Sequence, residues 1–374
     1  MSEAAILIVE DGRVFAGEAY GARGTALGEV AFSASMTGYQ EVLTDPSYAG
    51  RIVTMTYPLI GNYGTHADGG EPPRPLVSGL VLYEAPPLHS SWRATESLES
   101  YLERTGVIAI TGVDQRALAL HIRSSGPLRG AIAPADANRD QLLEVIRSQP
   151  RADGLDSGKG EVRAEEYTVA PLGPRQFRVL AFDYDAASPS LGLLAERGCE
   201  VTVLPSGTPA DAVLAREFDG LFVSSGPRDE QTVDQMLRTI RSVSDLDKPV
   251  FGVGLGHQLI ARAFGGSTRE VFFGHRGWNH PVRRLSDGAV EITAQNHDYA
   301  VAGDESSVTG APELRTTHVN LDDQTVEGVE HVSRPVFSVQ YHPQSGAGPH
   351  DSCYLFDRMI REMDARKAVG SGAA

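Results

Sequence analysis

The sequence predicts an α/β protein of two domains, and three observations carry that prediction. Its 374 residues suffice for two hydrophobic cores. A polar, glycine-rich stretch at 151–174, RADGLDSGKGEVRAEEYTVAPLGP, reads as a linker between a domain at 1–150 and another at 175–368. Beyond it, short apolar strands alternate with helical segments, the pattern of a mainly parallel sheet covered by helices.

In the first domain, strand-like runs fall at 5–9, 51–57, 76–82 and 107–111. Apolar residues at three- and four-residue spacing predict helices over 97–104 and 139–147. In the second, RVLAFDYD and EVTVLPSG read as strands, with SLGLLAERG between them as a helix closed by glycine. A helix follows at 209–216, then the strand DGLFVSSG, a helix over 232–243, the strand PVFGV and a further helix. Strands at 291–295 and 335–341 and a helix over 354–363 complete the domain. Ligands of such sheets sit at the carboxyl ends of the strands, where the SSGP turn and the turn after PVFGV both fall.

Composition narrows the function. Hydrophobic content of 41% and charged content of 22% are those of a soluble globular protein. No apolar run approaches the roughly 20 residues that cross a bilayer, and the N-terminus does not read as a signal peptide, so a cytoplasmic location without membrane contact is expected. The two cysteines, Cys199 and Cys353, are too few for a disulfide framework. A net charge of −16 argues against nucleic acid as a partner.

The segment VFGVGLGHQLIARAFGG has the layout of a nucleophile elbow, a sharp strand-to-helix turn that lifts one side chain above the sheet. Flanking glycines let the backbone bend that tightly. The central position, however, is Gly254. Glycine there relieves a strained turn, or leaves space for a ligand. His257 beside it reads as structural, and Cys199 as a buried core thiol.

The pieces GxGxGHQ, QNHDYAV and SVQYHPQ, in that order, resemble a class I glutamine amidotransferase. The long stretch SMTGYQEVLTDPSYAGRIVTMTYPLIGNYG, with FGHRGWNHPV and GPHDSCYLFDR later, is similar to the small subunit of carbamoyl phosphate synthetase. The resemblance covers nearly the whole chain. It implies an N-terminal small-subunit α/β domain that docks a large subunit, followed by the amidotransferase domain. In that family the small subunit hydrolyses glutamine and passes ammonia to the large subunit, which makes carbamoyl phosphate with ATP and bicarbonate. No cofactor or metal is expected on this chain; ATP and magnesium would belong to the large subunit.

Carried over one position at a time, the resemblance places the catalytic cysteine on Gly254 and the histidine base on His342. The glutamate that orients the base falls on Gln344. Nucleophile, base and orienter act as a unit, so two of the three functions are missing. Of the implied glutamine pocket, Ser35, Gly226, Leu255, Gln258 and Asn296 fall on its positions, and Tyr299 replaces a phenylalanine. Arg228 and Asp298 stand where the family has glycine, and are expected to obstruct glutamine and to pair with each other. The glycine–lysine–asparagine pattern after the first strand is absent, and Trp278 stands where a small residue is usual.

These departures predict a pseudo-glutaminase that binds or supports a large subunit using free ammonia or another donor. Two alternatives stay open. One is a working glutaminase with an unusual nucleophile, for which Cys353, Ser224 and Ser225 are the candidates. The other is a paralogue recruited to a specialised pathway, with His342, Arg228, Asp298 and Trp278 facing a new ligand.

Overall fold

The structure, a computed structural model, describes residues 3–67, 74–150, 165–182, 189–205, 207–224, 230–344 and 348–371. The chain divides into two compact units, Met1–Gly160 and Glu161–Ala374.

The first unit is a closed barrel of seven strands: β1 (Ala4–Val9), β2 (Val14–Gly21), β3 (Ala26–Ser33), β4 (Ile52–Met55), β5 (Gly79–Val81), β6 (Ile108–Thr111) and β7 (Leu128–Pro134). Around the barrel they run β1-β2-β6-β5-β4-β3-β7, with β7 pairing back on β1. Closure removes the exposed edges that an open sheet of this size would present. Leu7, Val9, Ile52, Val81, Ile110 and Ile132 fill the core. The four strands expected in this domain are present, at 51–57 and 76–82 in shortened form. The other three carry glycine and alanine among their apolar residues (VFAGEAYG, ALGEVAFS, LRGAIAP), which dilutes the alternation a strand announces itself by.

Helices α1 (Tyr39–Thr44), α2 (Leu98–Thr105), α3 (Gln115–Ser125) and α4 (Arg139–Ser148) accompany the barrel. Asp114 caps α3 by accepting from the Ala117 amide at 2.9 Å, and Leu118 and Ile122 of that helix enter the barrel core. The long N-terminal motif folds on itself. Tyr39 stacks on Tyr63 with ring centroids 4.1 Å apart, and its hydroxyl donates to the Gly64 carbonyl at 2.6 Å. Gln40 exchanges two hydrogen bonds with the His66 backbone, at 2.7 and 2.9 Å.

The second unit is built on a ten-stranded sheet. Its strands are β8 (Tyr167–Val169), β9 (Phe177–Phe182), β10 (Cys199–Val203), β11 (Gly220–Val223), β12 (Val250–Val253), β13 (Thr268–Arg284), β14 (Val290–Val301), β15 (Leu314–Asn320), β16 (Val326–His331) and β17 (Val336–Val339). The order is β14-β13-β15-β16-β17-β12-β11-β9-β10-β8. The centre, β17-β12-β11-β9-β10, is parallel, as the alternating pattern requires. Antiparallel strands flank it on both sides.

Helices α5 (Pro189–Glu196), α6 (Ala210–Leu214), α7 (Glu230–Asp245), α8 (Leu255–Ala263) and α9 (Tyr354–Ser371) complete the unit. Side chains alternate across the sheet. Leu221 and Val223 enter one core with Leu259 and Ile260 of α8. Phe222, Phe251 and Val253 enter the other with Phe356 of α9.

Of the expected linker, residues 151–164 lie outside the described residues. Tyr167–Val169 forms β8, because Tyr167 and Val169 pack on the second core while the chain pairs with β10. The hydrophobic pattern did not reveal β13, β15 or β16. The segment GHRGWNHP, rich in glycine and polar residues, sits within β13, where two irregularities in its pairing with β14 absorb the misfit.

Candidate functional site

Gly254 joins the central parallel strand β12 to helix α8, with φ 59° and ψ −117°. Such a backbone strains any residue with a Cβ, which is the conformation a nucleophile elbow imposes. Two neighbouring glycines make the turn sterically possible. A Cβ on Gly256 would overlap the Val223 carbonyl of the adjacent strand, and Gly256 donates to the Ser224 carbonyl at 2.8 Å. A Cβ on Gly252 would lie 2.6 Å from Ile260 and 2.8 Å from the Gly256 carbonyl. The elbow is therefore intact as a backbone.

His342 faces it. It lies three residues past the end of β17, which runs parallel to β12, and its amide donates to the Ala294 carbonyl of β14 at 2.9 Å, which fixes the residue's height above the sheet. A Cβ built on Gly254 would sit 3.6 Å from His342 Cε1 and 3.9 Å from Nε2, ordinary contact distances. The space for a side chain is there, opposite an imidazole, and glycine leaves it without a nucleophilic atom.

Behind the imidazole, the side-chain amide of Gln344 lies 3.1 Å from His342 Nδ1. A general base is oriented by a charged acceptor of Nδ1–H, so that Nε2 keeps its lone pair. Gln344 is only 9% exposed, and its Oε1 is buried without a hydrogen-bond partner among the described residues. The glutamine therefore does not supply the negative charge of an orienting carboxylate.

The pocket side is formed by β14. Gln258 on α8 donates to the Tyr299 carbonyl at 3.0 Å and to Gln340 Oε1 at 3.1 Å. Asn296 and Tyr299 are half-buried on the same strand. The Asp298 carboxylate, also half-buried, pairs with the guanidinium of Arg276 on β13, a side chain only 5% exposed. The two lie against Gly274, where any Cβ would collide with both. Leu255 opens α8 and is half-buried.

The structure thus brings Gly254, Leu255, Gln258, Asn296, Asp298, Tyr299, His342 and Gln344 into one region. Gly226 and Arg228 lie outside the described residues, so the expected Arg228–Asp298 pair does too. Ser35 belongs to the first unit, where it is buried and accepts from the Ser33 hydroxyl at 3.0 Å. Arg276 escaped the sequence reading as Asp298's partner. Its signal lay in the GHRGWNHP motif, but using it required the register that sets Arg276 opposite Asn296, two residues from Asp298.

Three further groups bear on chemistry. His257 is fully buried, its Nδ1 2.9 Å from the Ser338 hydroxyl, and burial pushes its pKa down to about 3. It is a neutral packing group. Cys353 donates its thiol proton to the Pro343 carbonyl at 3.2 Å, and burial raises its pKa above that of a free thiol. His350, 3.8 Å from its sulfur, does not reverse that. A protonated thiol tied to a carbonyl is a poor nucleophile. His297 on β14 is also buried, which depresses its pKa to about 4, and its Nδ1 lies 2.9 Å from the Tyr299 carbonyl that also takes Gln258.

Two family models match the chain: the CPSase domain of the carbamoyl-phosphate synthase small chain over residues 7–132, and glutamine amidotransferase class-I over 190–362. The chain is 46% identical to the carbamoyl phosphate synthase small chain of Syntrophotalea carbinolica, over 97% of this chain and 98% of that one. It is 44% identical to the protein of that name from Pseudomonas aeruginosa, over 98% and 100% of the two chains. With that from Streptomyces coelicolor it shares 42% identity over 97% of each.

Proposed function

The chain belongs to the carbamoyl phosphate synthase small chain family, and on that premise we propose that it engages a large synthetase subunit without itself hydrolysing glutamine. One observation carries this reading: the elbow keeps its strained backbone and its facing histidine, yet Gly254 offers no atom that can attack an amide. The neutral Gln344 amide behind His342 Nδ1, in place of a carboxylate, supports it independently. The retained, self-folded N-terminal motif supports docking to a large subunit, where ATP, magnesium and bicarbonate would be used. That subunit then draws on free ammonia or on nitrogen supplied by another enzyme, for carbamoyl phosphate in pyrimidine or arginine synthesis.

The experiment is a glutaminase assay on the purified chain, alone and with a co-expressed large subunit. No glutamate above background is expected, together with co-purification of the two chains and ammonia-dependent carbamoyl phosphate formation. Glutamine turnover that disappears in His342→Ala would overturn the proposal, as would a glutamine-analogue electrophile found attached to Cys353 or a serine.

A second reading, recruitment to a specialised pathway with a different ligand, is favoured by the Arg276–Asp298 pair. If the Gly254→Cys/Gln344→Glu double variant hydrolyses glutamine, the pocket still admits that substrate and this second reading fails.

A further inference from the structure

Three strands of the antiparallel flank bring together a second set of polar side chains. His275 on β13 and His297 on β14 are paired in register, their rings edge-to-face with centroids 4.8 Å apart. Glu327 on β16 is fully buried, and neither histidine exceeds 9% exposure. Gln295, 1% exposed, completes the group.

The direction of each hydrogen bond decides what the group wants. His275 Nε2 lies 3.0 Å from Asp323 Oδ2, and His297 Nδ1 lies 2.9 Å from the Tyr299 carbonyl. An ionised carboxylate and a carbonyl can only accept, so a metal on the inner nitrogens would leave the ring N–H of His275 toward Asp323 and that of His297 toward Tyr299. Despite burial, hydrogen bonds to Asp323 and Glu327 raise the pKa of His275 to about 9, so an ion there displaces a proton. His275 Nδ1 is 3.4 Å from Glu327 Oε1, and His297 Nε2 is 3.9 Å from the same oxygen and 2.9 Å from Gln295 Oε1.

Two imidazole nitrogens and a carboxylate oxygen, all within 4.8 Å of one another, converge on one buried point. Donors nearby also reach this group. Gln295 Nε2 bonds Glu327 Oε2 at 3.0 Å, Thr325 bonds Oε1 at 3.2 Å, and Asn320 Nδ2 divides itself between Oε1 at 3.3 Å and His275 Nδ1 at 3.4 Å. Gathering these groups in a dry interior is offset by a cation at that point, either the proton on His275 or a metal ion that replaces it.

We propose that His275, His297 and Glu327 form a structural site for a divalent ion of the zinc class, with the Gln295 carbonyl in reach as a fourth donor. Nitrogen and oxygen donors of this kind suit zinc, whose bonds of about 2.0–2.2 Å place tetrahedral ligands about 3.3 Å apart. The longer separations here need to close by roughly 0.5–1.5 Å. The outer shell is already that of metal-bound histidines, one ring hydrogen-bonded to a carboxylate and the other to a backbone carbonyl. Through His297 the ion fixes the Tyr299 carbonyl, and with it the amide of Gln258. Its place among the strands makes it part of the fold whether or not glutamine is hydrolysed.

The full chain, purified without an affinity tag that binds metals, is dialysed against trace zinc and its metal content measured. About one zinc per chain is expected, with cobalt giving the visible spectrum of a four-coordinate site. The isosteric variants His297→Gln and Glu327→Gln lower affinity at least ~10-fold, while exposed His350→Ala leaves it unchanged. A stoichiometry below ~0.1, without a cobalt spectrum, overturns the site, as does zinc that persists undiminished in both variants. Because those variants can misfold, ring-nitrogen NMR of the unmodified chain stands as a second measurement. Zinc-induced shifts at His275 Nδ1 and His297 Nε2 support the site; protons on both of those nitrogens after zinc addition refute it.

Discussion

Position 254 shows how much of an active site is backbone. The left-handed turn is set by its flanking glycines and by the hydrogen bond from Gly254 N–H to the Val339 carbonyl at 3.0 Å, none of which depends on a cysteine. Gly254→Cys should therefore fold. It has room for its Cβ but adopts a φ of 59°, a strain of about 1–3 kcal/mol that a urea titration will read as a lower midpoint. Gly256→Ala meets a backbone carbonyl instead and should cost more, on the order of 3 kcal/mol or outright misfolding.

In a glutaminase assay Gly254→Cys alone should stay at least ~10²-fold below the double variant with Gln344→Glu, since base and orienter act as a unit. The glycine at the elbow was legible in the sequence because the elbow has a fixed spacing. Arg276's carboxylate partner was not, because it depends on side chains brought together from different strands.

Among elements, the parallel centre was the most readable part. Its strands are short, apolar and fenced by turns, so β9 to β12 and the helices between them stand out from their neighbours. The barrel strands and β13 were less readable for opposite reasons: the former are diluted by glycine and alanine, the latter by a polar motif whose histidines face a buried network. Helix α3 was not among the helices expected from the sequence, although a capping residue stands before it. Asp114 precedes α3 as the residue preference predicts, and Asp114→Ala should lower unfolding free energy by about 1 kcal/mol without changing the m-value.

For the molecule as a whole, buried neutral histidines set an acid limit. Burial pushes His257 down to about 3, and burial together with the nearby guanidinium groups of Arg284 and Arg358 pushes His318 down to about 4. A histidine depressed below its unfolded value of about 6.5 stabilises the fold fully above that pH. The contribution is lost as pH falls from about 6.5 toward 4 and then 3. Each should cost on the order of 2 kcal/mol at pH 5 relative to pH 8, visible as a falling denaturant midpoint, and His318→Gln should flatten that slope. The net charge of −16 acts on a different property: to the extent that it steers association with the proposed large subunit, that association weakens as salt rises.

Strand β17 belongs to both parts of the large sheet, parallel to β12 on one side and antiparallel to β16 on the other. The imidazole of His342 hangs from the end of this shared seam. The gap between ring and elbow thus works as a ruler for the alignment of the two sheet halves. A paramagnetic tag at position 254 and an isotope on that ring would report any slippage between them.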